Sequence, residues 1–476
     1  MPIDYFSDMS PACNHTTLNL ESSTHADDAG FHRPTSQQRA TGAGKRKQDT
    51  DGEFGGTFPA PLVLPGDDLS FDTRCPPQSL LSWVREKERN EVTPERNVVY
   101  LASSPDIKPE INFIHAWSNP QIKGATGRTI VSNKSTDVPS PNAKHVLEYL
   151  KAFYHGMNVK LLPAGLLHFT RWDDTDPKSS KAQANSNIPK YIGLTTLTET
   201  IGIRTRPSKD GVFKGQLNLD DLLDTVISIL PDDGYALLML VEHDIFEDED
   251  DDFCCGRAYG GSRVAVISTA RYNPSLDDRQ DVEREHAWPA SHCDAYMREC
   301  CGAPSKVKKA KLDASFSHQT PLNAAVSAHA SLPTPQTPSQ LSSLWLSRVC
   351  QTASHELGHC FGMDHCVYYA CVMQATGSLA EDVRQPPYLC PVDLAKTLKA
   401  TGANERQRYE ALLTICGGLE DGGAGWFRAF KAWIVGRLRE LKDGGEGLEK
   451  KTADLSTKPA SKSKAGSKKA PIELSP

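Results

Sequence analysis

The sequence predicts an α/β fold in which a sheet is backed by helices. Apolar runs of strand length alternate with amphipathic helical patterns over residues 144–272, and a histidine-bearing helical pattern follows at residues 355–365. A length of 476 residues would allow on the order of two or three domains. Because several long segments are too polar to fold, we expect about one domain with a sizeable core, at residues 91–441.

The elements before the histidine pattern occur in a simple order. Residues 144–163 form an amphipathic helix followed by a strand, and residues 216–231 form a second helix with an apolar stripe. The short apolar run at residues 235–246 predicts a strand, and the Gly-rich segment at residues 254–272 changes to the alternation of a further strand. Helical patterns then return at residues 405–416 and 425–441.

Four segments carry too few apolar residues to offset the conformational entropy that a chain loses on folding. They are rich in Ser, Thr, Pro, Gly or Lys. We expect disorder in the N-terminal region at residues 1–90 and in the basic tail at residues 442–476. Low-complexity inserts are expected at about residues 171–189 and 303–342.

The stretch HELGHCFGMDH, which begins at His355, has the spacing of a catalytic zinc site. Positions four apart lie on one face of a helix, so His355 and His359 can direct two imidazoles at one metal. Gly362 can adopt the positive φ that ends a helix, and the turned chain then brings His365 to the site. Three neutral imidazoles leave one zinc position to water, and Glu356 is placed to accept the proton of that water. The predicted reaction is hydrolysis of an amide bond.

Cysteines follow this motif at short spacing. Cys366 is next to His365, Cys371 comes after four intervening residues, and Cys390 begins the sequence CPVD. Thiolates at such spacing are typical of a structural zinc site. The succession of HExxHxxGxxH, CxxxxCxM, a loop and a final Cys resembles the archaemetzincins, a metzincin-like family of zinc metalloproteases.

The resemblance implies a metzincin-like zincin domain, with a twisted mixed sheet backed by helices and the zinc-binding helix beneath it. Glu356 would be the general base, and Met373 would be the methionine of the turn under the metal. By analogy with the edge strand that binds substrate in metzincins, residues 262–270 would pair with an extended peptide. The implied ligands are His355, His359 and His365 for a catalytic zinc ion, and Cys366, Cys371 and Cys390 for a second, structural zinc ion.

One position departs from the family pattern, because Asp393 stands where the last cysteine of CxxC is expected. Carboxylate oxygen is an acceptable zinc ligand, so we expect Asp393 to complete the second site. Cys360 is the nearest spare thiol and is the alternative fourth ligand. Loss of the second zinc ion is a further alternative.

Composition excludes several function classes. A net charge of −7 argues against a nucleic-acid binder, and no apolar segment approaches the roughly twenty residues that a membrane span needs. The N-terminus lacks a secretory pattern, and an odd count of thirteen cysteines favours a reducing compartment. We therefore expect a cytoplasmic or nuclear monomer that acts on a peptide or protein substrate.

Two other functions stay open at this point. Basic clusters, such as KVKKAK at residues 306–311, could recruit the protease to chromatin and to DNA-bound proteins. A zinc-stabilised binding protein without turnover is the other alternative, although the intact Glu356 argues against it. The spacing of His286, His292 and Cys293 matches no zinc module, and no site is predicted there.

Overall fold

The computed structural model describes residues 13, 15, 17–45, 57–121, 138–172, 188–302, 320–420 and 425–456. The strands are β1 (Val98–Ala102), β2 (Asp106–Ile107), β3 (Asn158–Leu161), β4 (His168–Thr170), β5 (Tyr191–Thr195), β6 (Thr200–Arg206), β7 (Gln216–Asn218), β8 (Gly234–Val241), β9 (Asp244–Phe246), β10 (Gly256–Tyr259) and β11 (Val264–Ser268). The helices are α1 (Thr24–Ala29), α2 (Ser36–Gly42), α3 (Asp68–Phe71), α4 (Leu80–Arg85), α5 (Ala143–Phe153), α6 (Leu219–Ser228), α7 (Asp294–Cys300), α8 (Pro321–Ala330), α9 (Pro338–Cys360), α10 (Leu379–Asp382), α11 (Pro391–Thr401), α12 (Glu405–Leu419) and α13 (Gly425–Ser456).

A five-stranded sheet in the order β10–β11–β8–β1–β3 organises the fold. Strands β11, β8, β1 and β3 run parallel, and β10 is antiparallel to β11 at one edge. A six-stranded sheet in the order β2–β4–β5–β6–β7–β9 has both parallel and antiparallel pairs. The predicted α/β fold, with a mixed sheet backed by helices, is confirmed.

Strand β8 divides two hydrophobic cores. All eight of its residues are buried, as expected for a central parallel strand that is covered on both faces. Ala236, Leu238 and Leu240 belong to the core formed with α5, α9, α12 and α13. Leu237 and Met239 belong to the core formed with α6 and the second sheet. This alternation follows from the two-residue period of a strand.

Helix α9 carries the histidine motif and packs against the five-stranded sheet. Its start is fixed by a capping box, in which the Thr337 hydroxyl accepts from the Gln340 amide and the Gln340 side chain accepts from the Thr337 amide. Val349, Ala353 and Leu357 recur at helical spacing and are completely buried in the core. The rigid body of this helix therefore sets the position of its C-terminal end, where the motif lies.

Much of the N-terminal region is packed, so the prediction of disorder over residues 1–90 is wrong for residues 17–45 and 57–90. Phe31, Val63 and Leu69 form a small core together with Val367, which belongs to the loop after the histidine motif. The partners of these scattered apolar residues are distant in sequence, and local composition does not reveal them. Residues 1–12, 14, 16 and 46–56 lie outside the described residues.

The insert predicted at residues 303–342 is shorter than expected. Pro321 and Pro338 each occupy the first turn of a helix, and the preceding Thr320 and Thr337 cap those helices. The Pro, Ser and Thr content that suggested low complexity thus marks two helix starts. Residues 303–319, which include the KVKKAK cluster, lie outside the described residues.

Two other segments differ in part from the predicted disorder. Helix α13 continues to Ser456, into the segment predicted as a tail at residues 442–476. The rest of the predicted tail, at residues 457–476, lies outside the described residues. The same holds for residues 173–187, which are most of the first predicted insert. Within the described part of the chain, no helix has both the length and the apolar character that a bilayer span requires.

Candidate metal centres

Three imidazoles meet at the C-terminal end of α9. The Nε2 atoms of His355 and His359 are 3.0 Å apart. The ring centroid of His365 lies 5.4 Å from that of His355 and 4.9 Å from that of His359. One ring nitrogen from each histidine lies within 4.8 Å of the other two, so the three rings face a common position for a metal ion. The structure thus brings together all three predicted ligands.

Backbone carbonyls orient two of these rings. Nδ1 of His355 donates to the Val372 carbonyl at 2.6 Å, and Nδ1 of His359 donates to the Met363 carbonyl at 2.7 Å. A proton on Nδ1 leaves the lone pair on Nε2, which is the tautomer that binds a metal. Burial and, to a lesser extent, the neighbouring His365 lower the pKa of His359 to about 4. These rings are therefore neutral near pH 7.

The turn after α9 has the predicted geometry. Gly362 has a φ of +75°, so the prediction of a left-handed glycine that ends the helix is confirmed. The close contact between α9 and Met373 was not predicted. A Cβ atom at Gly358 would lie 2.4 Å from the sulfur of Met373, so only glycine fits at this motif position. Met373 itself is completely buried.

Glu356 lies one residue beyond His355 and lines the same cleft. Burial and, to a lesser extent, the negative charge of Asp382 raise the pKa of Glu356 to about 8, against the opposing effects of Arg257 and the Ala258 amide. The structure therefore places the predicted general base next to the imidazoles, in an environment that raises its proton affinity.

The cleft has a volume of about 1220 Å³ and is open along the edge strand β10, where Gly256–Gly261 line it. The prediction that residues 262–270 form the edge strand is wrong. Strand β11 (Val264–Ser268) is completely buried between β8 and β10. The apolar residues of β11 indicate a strand, but they do not indicate which strands pair with it on either side. Among the described strands, β10 pairs with β11 alone, and we assign the edge to β10.

A second cluster lies in the loop after the histidine motif and at the start of α11. Sγ of Cys366 is 3.5 Å from Sγ of Cys390, and Oδ2 of Asp393 lies 3.4 Å from Sγ of Cys371 and 3.2 Å from Sγ of Cys390. All four residues are buried, and their ligand atoms lie within 4.8 Å of one another. The structure brings Asp393 into this cluster. Cys360 is buried as well, but its thiol is not part of this group of ligand atoms.

Lys396 was missed by the reasoning from sequence. Its Nζ is 2.8 Å from Oδ1 of Asp393 and 2.8 Å from Oε1 of Gln78. Burial and, to a lesser extent, the nearby Cys366 raise the pKa of Asp393 to about 6, against the opposing effect of Lys396. The ammonium group therefore holds one carboxylate oxygen and leaves the other directed at the sulfurs. The only signal in the sequence was the spacing of three residues along a helix.

The chain is similar to several known proteins. The sequence profile of Peptidase family M54 matches residues 335–399, which include both clusters. Archaemetzincin-2 of Macaca fascicularis is 24% identical over 355 residues, with 75% of this chain and 73% of the relative covered. Archaemetzincin-2 of Homo sapiens is 26% identical over 270 residues, with 57% of each chain covered. A crystal structure of archaemetzincin from Archaeoglobus fulgidus, complexed with malonate, has 16% identity and a TM-score of 0.27, with 63% of this chain and 99% of that chain covered.

Proposed function

We propose that this chain, a member of the archaemetzincin family of zinc metallopeptidases, hydrolyses peptide bonds at the histidine cluster with Glu356 as general base. The observation that carries the proposal is the convergence of His355, His359 and His365 beside a buried glutamate. On an ordinary solvent-exposed helix face, neither three converging imidazoles nor a buried glutamate is expected.

The donor set of this cluster fits Zn²⁺. Two imidazoles donate Nδ1–H to backbone carbonyls, so that both Nε2 lone pairs are free for a metal. We assign His355, His359 and His365 as its ligands. When bound, zinc would polarise a substrate carbonyl and acidify a water molecule.

Glu356 moves the proton in the proposed reaction. Its carboxylate accepts a proton from water as the water attacks the scissile carbonyl, and it then gives that proton to the leaving amine. Its position on the rigid helix α9 keeps it beside the ligands.

The substrate is a peptide or a segment of a protein in extended form. Strand β10 offers its unpaired edge to the cleft, so a bound peptide can add main-chain hydrogen bonds to the five-stranded sheet. Arg257 on this strand has a half-exposed guanidinium that forms an ion pair with Glu247. We propose that it interacts with acidic side chains or with carbonyl groups of the substrate.

The second cluster would hold a structural zinc ion with Cys366, Cys371, Cys390 and Asp393 as ligands. Three sulfurs and one carboxylate oxygen leave no position for water, as in other structural sites. Cys366 directly follows His365, and Cys371 is two residues before Met373. This ion would therefore hold the loop that carries the third histidine and the methionine turn.

A cytoplasmic or nuclear location and a monomeric state complete the proposal. Both rest on the cysteine usage and the composition of the sequence. The chromatin hypothesis depends on basic clusters outside the described residues, so no contact in the structure favours it.

Cleavage of a diverse peptide library tests the proposed function. The purified protein should cut library peptides, lose this activity on treatment with a zinc chelator, and regain it when zinc is restored. Mass spectrometry of the products would also define the residues on both sides of the cut bond. A fully zinc-loaded protein that cuts no peptide in the library would overturn the proposal in favour of a binding function.

A further inference from the structure

A third cluster of metal-binding side chains joins the N-terminal segment to the loop before α7. Sγ of Cys13 lies 3.3 Å from Sγ of Cys293. These two sulfurs and one ring nitrogen of His286 all lie within 4.8 Å of one another. The cluster shares no residue with the histidine cluster or with the cluster around Cys366.

His286 is held in a manner typical of a metal ligand. The side chain is 7% exposed, and its Nδ1 lies 2.7 Å from Oε1 of Glu283. Its Nε2 is buried and has no hydrogen-bond partner among the described residues. A buried polar atom without a partner costs free energy, and such atoms are rare in native structures. A carboxylate on one ring nitrogen and a metal on the other is a common arrangement around zinc.

A second imidazole faces the same place. The ring of His15 is 5.2 Å from the ring of His286, in an edge-on orientation. Its Nε2 is also buried without a hydrogen-bond partner among the described residues. One nitrogen of His15 lies within 4.8 Å of a nitrogen of His286 and of a carboxylate oxygen of Glu285. The donors thus form two adjacent groups that share His286, with Cys13 and Cys293 in one group and His15 and Glu285 in the other.

We propose that Cys13, Cys293 and His286 bind a third zinc ion, with His15 as the fourth ligand. Two thiolates and two imidazoles form a donor set that zinc prefers in tetrahedral sites. The spacing in the sequence gives no sign of this site, because 280 residues separate Cys13 from Cys293. The fold brings the two halves together.

Backbone contacts run alongside the cluster. Leu18 forms an antiparallel bridge with Cys293, the Asn19 amide donates to the His292 carbonyl at 2.8 Å, and the Asp294 amide donates to the Thr17 carbonyl at 3.0 Å. The N-terminal segment thus forms a short added strand beside this loop. A metal ion at its end would cross-link two distant parts of the chain and stabilise this pairing.

A disulfide between Cys13 and Cys293 is the competing interpretation. It would use both sulfurs, but it would leave Nε2 of His15 and Nε2 of His286 buried without partners. A metal ion satisfies all four side chains at once. The geometry therefore favours metal over disulfide.

Metal counting on the full-length protein in reducing buffer tests the proposal. Serine has nearly the size of cysteine and is a good helix cap, so a variant with Cys13→Ser and Cys293→Ser should keep the local packing. It should contain one zinc ion fewer per chain than the parent. The matched control, Cys300→Ser with Cys301→Ser, changes two cysteines at the end of α7 and should retain the zinc content of the parent. Equal zinc content in the parent and in the Cys13 and Cys293 variant would overturn the proposal.

Two additional measurements make the result unambiguous. After denaturation without reductant, alkylation of the parent should modify both Cys13 and Cys293; protection of both until reductant is added would identify a disulfide and overturn the metal site. If the double variant is poorly folded, His15→Gln provides the second test, because it should weaken retention of one zinc ion against a chelator. Retention unchanged by His15→Gln would contradict the proposed fourth ligand. Each comparison is a difference from the parent, so its outcome does not depend on peptidase activity.

Discussion

Lys396 and Asp393 form an ion pair inside the protein, with 2.8 Å between Nζ and Oδ1 and side-chain exposures of 2% and 1%. Asp393 stands where archaemetzincins have a cysteine, and it faces three sulfurs with its other oxygen. A buried carboxylate is stable only with a partner, and the buried ammonium provides one. We propose that the two residues together take the place of a single thiolate ligand.

Lys396→Met should therefore weaken zinc binding at the second cluster by about 10-fold to 100-fold, in the range found for outer partners of metal ligands. Methionine keeps the apolar stem but removes the charge that holds the carboxylate in its ionised form. The same change in an Asp393→Cys background should have a much smaller effect, since a thiolate does not need the ammonium. Competition with a chromophoric chelator measures both affinities. Equal effects in the two backgrounds would show that Lys396 does not act through Asp393.

The identity of the fourth ligand can be tested by metal counting. Asp393→Ala should lose the second zinc ion, whereas Cys360→Ala should keep it, because the Cys360 thiol is not among the grouped ligand atoms. Loss of zinc in the Cys360 variant alone would reverse this assignment. A single zinc ion in the parent, lost when the histidines are substituted, would indicate that the second cluster binds no metal.

Gly358→Ala should lower both stability and activity. The new Cβ would lie 2.4 Å from the sulfur of Met373, and overpacking of this kind typically costs about 1–3 kcal/mol. Displacement of the methionine turn would also shift His359 and Glu356, and activity should fall by up to about 100-fold. Met373→Ala added to Gly358→Ala opens space for the new methyl group and should restore part of the lost melting temperature. If Gly358→Ala alone matches the parent in thermal melting and turnover, the close packing of these two residues has no functional role.

Several features of the site could be predicted from sequence because their causes are local. The helix spacing of His355 and His359 and the left-handed Gly362 both lie within one short motif. Gly358 and Lys396 also lie near the motif, but their roles depend on contacts with Met373 and Asp393 that spacing alone does not specify. A single sequence indicates a helix or a turn more readily than it indicates which distant side chain fills the space next to it.

Features that depend on distant pairing were predicted wrongly or missed. The apolar residues of β11 indicated a strand, but the addition of β10 at its side was not visible, and the edge was assigned to the wrong segment. Phe31 and Val63 are isolated in a polar region and pack with Val367, more than 300 residues away. Removal of residues 1–45 should for this reason be more disruptive than composition suggests.

His243 should make folding sensitive to acid. Burial lowers its pKa to about 4, and its Nε2 lies 3.1 Å from the Ile114 carbonyl. The unfolded chain binds a proton below about pH 6.5, whereas the folded protein keeps this imidazole neutral down to about pH 4. The free energy of unfolding should therefore fall as pH is lowered from about 6.5 to about 4, by at most about 1.4 kcal/mol per pH unit from this group.

His243→Gln is the matched variant for this test, because its amide can still donate to the Ile114 carbonyl. Urea unfolding at several pH values should give a shallower decrease for the variant than for the parent within this window. Identical slopes would mean that His243 is protonated equally in the folded and unfolded states.

Glu356→Gln tests the central claim most directly. The amide is the same size as the carboxyl group but cannot accept a proton from water, so turnover of a cleaved peptide should fall by about 10²-fold to 10⁴-fold. Zinc content and melting temperature should stay at the values of the parent, because no proposed metal ligand is changed. The decisive measurement is the turnover of this variant at full zinc occupancy. Our proposal predicts a loss of at least about 100-fold, and turnover close to that of the parent would contradict Glu356 as the general base.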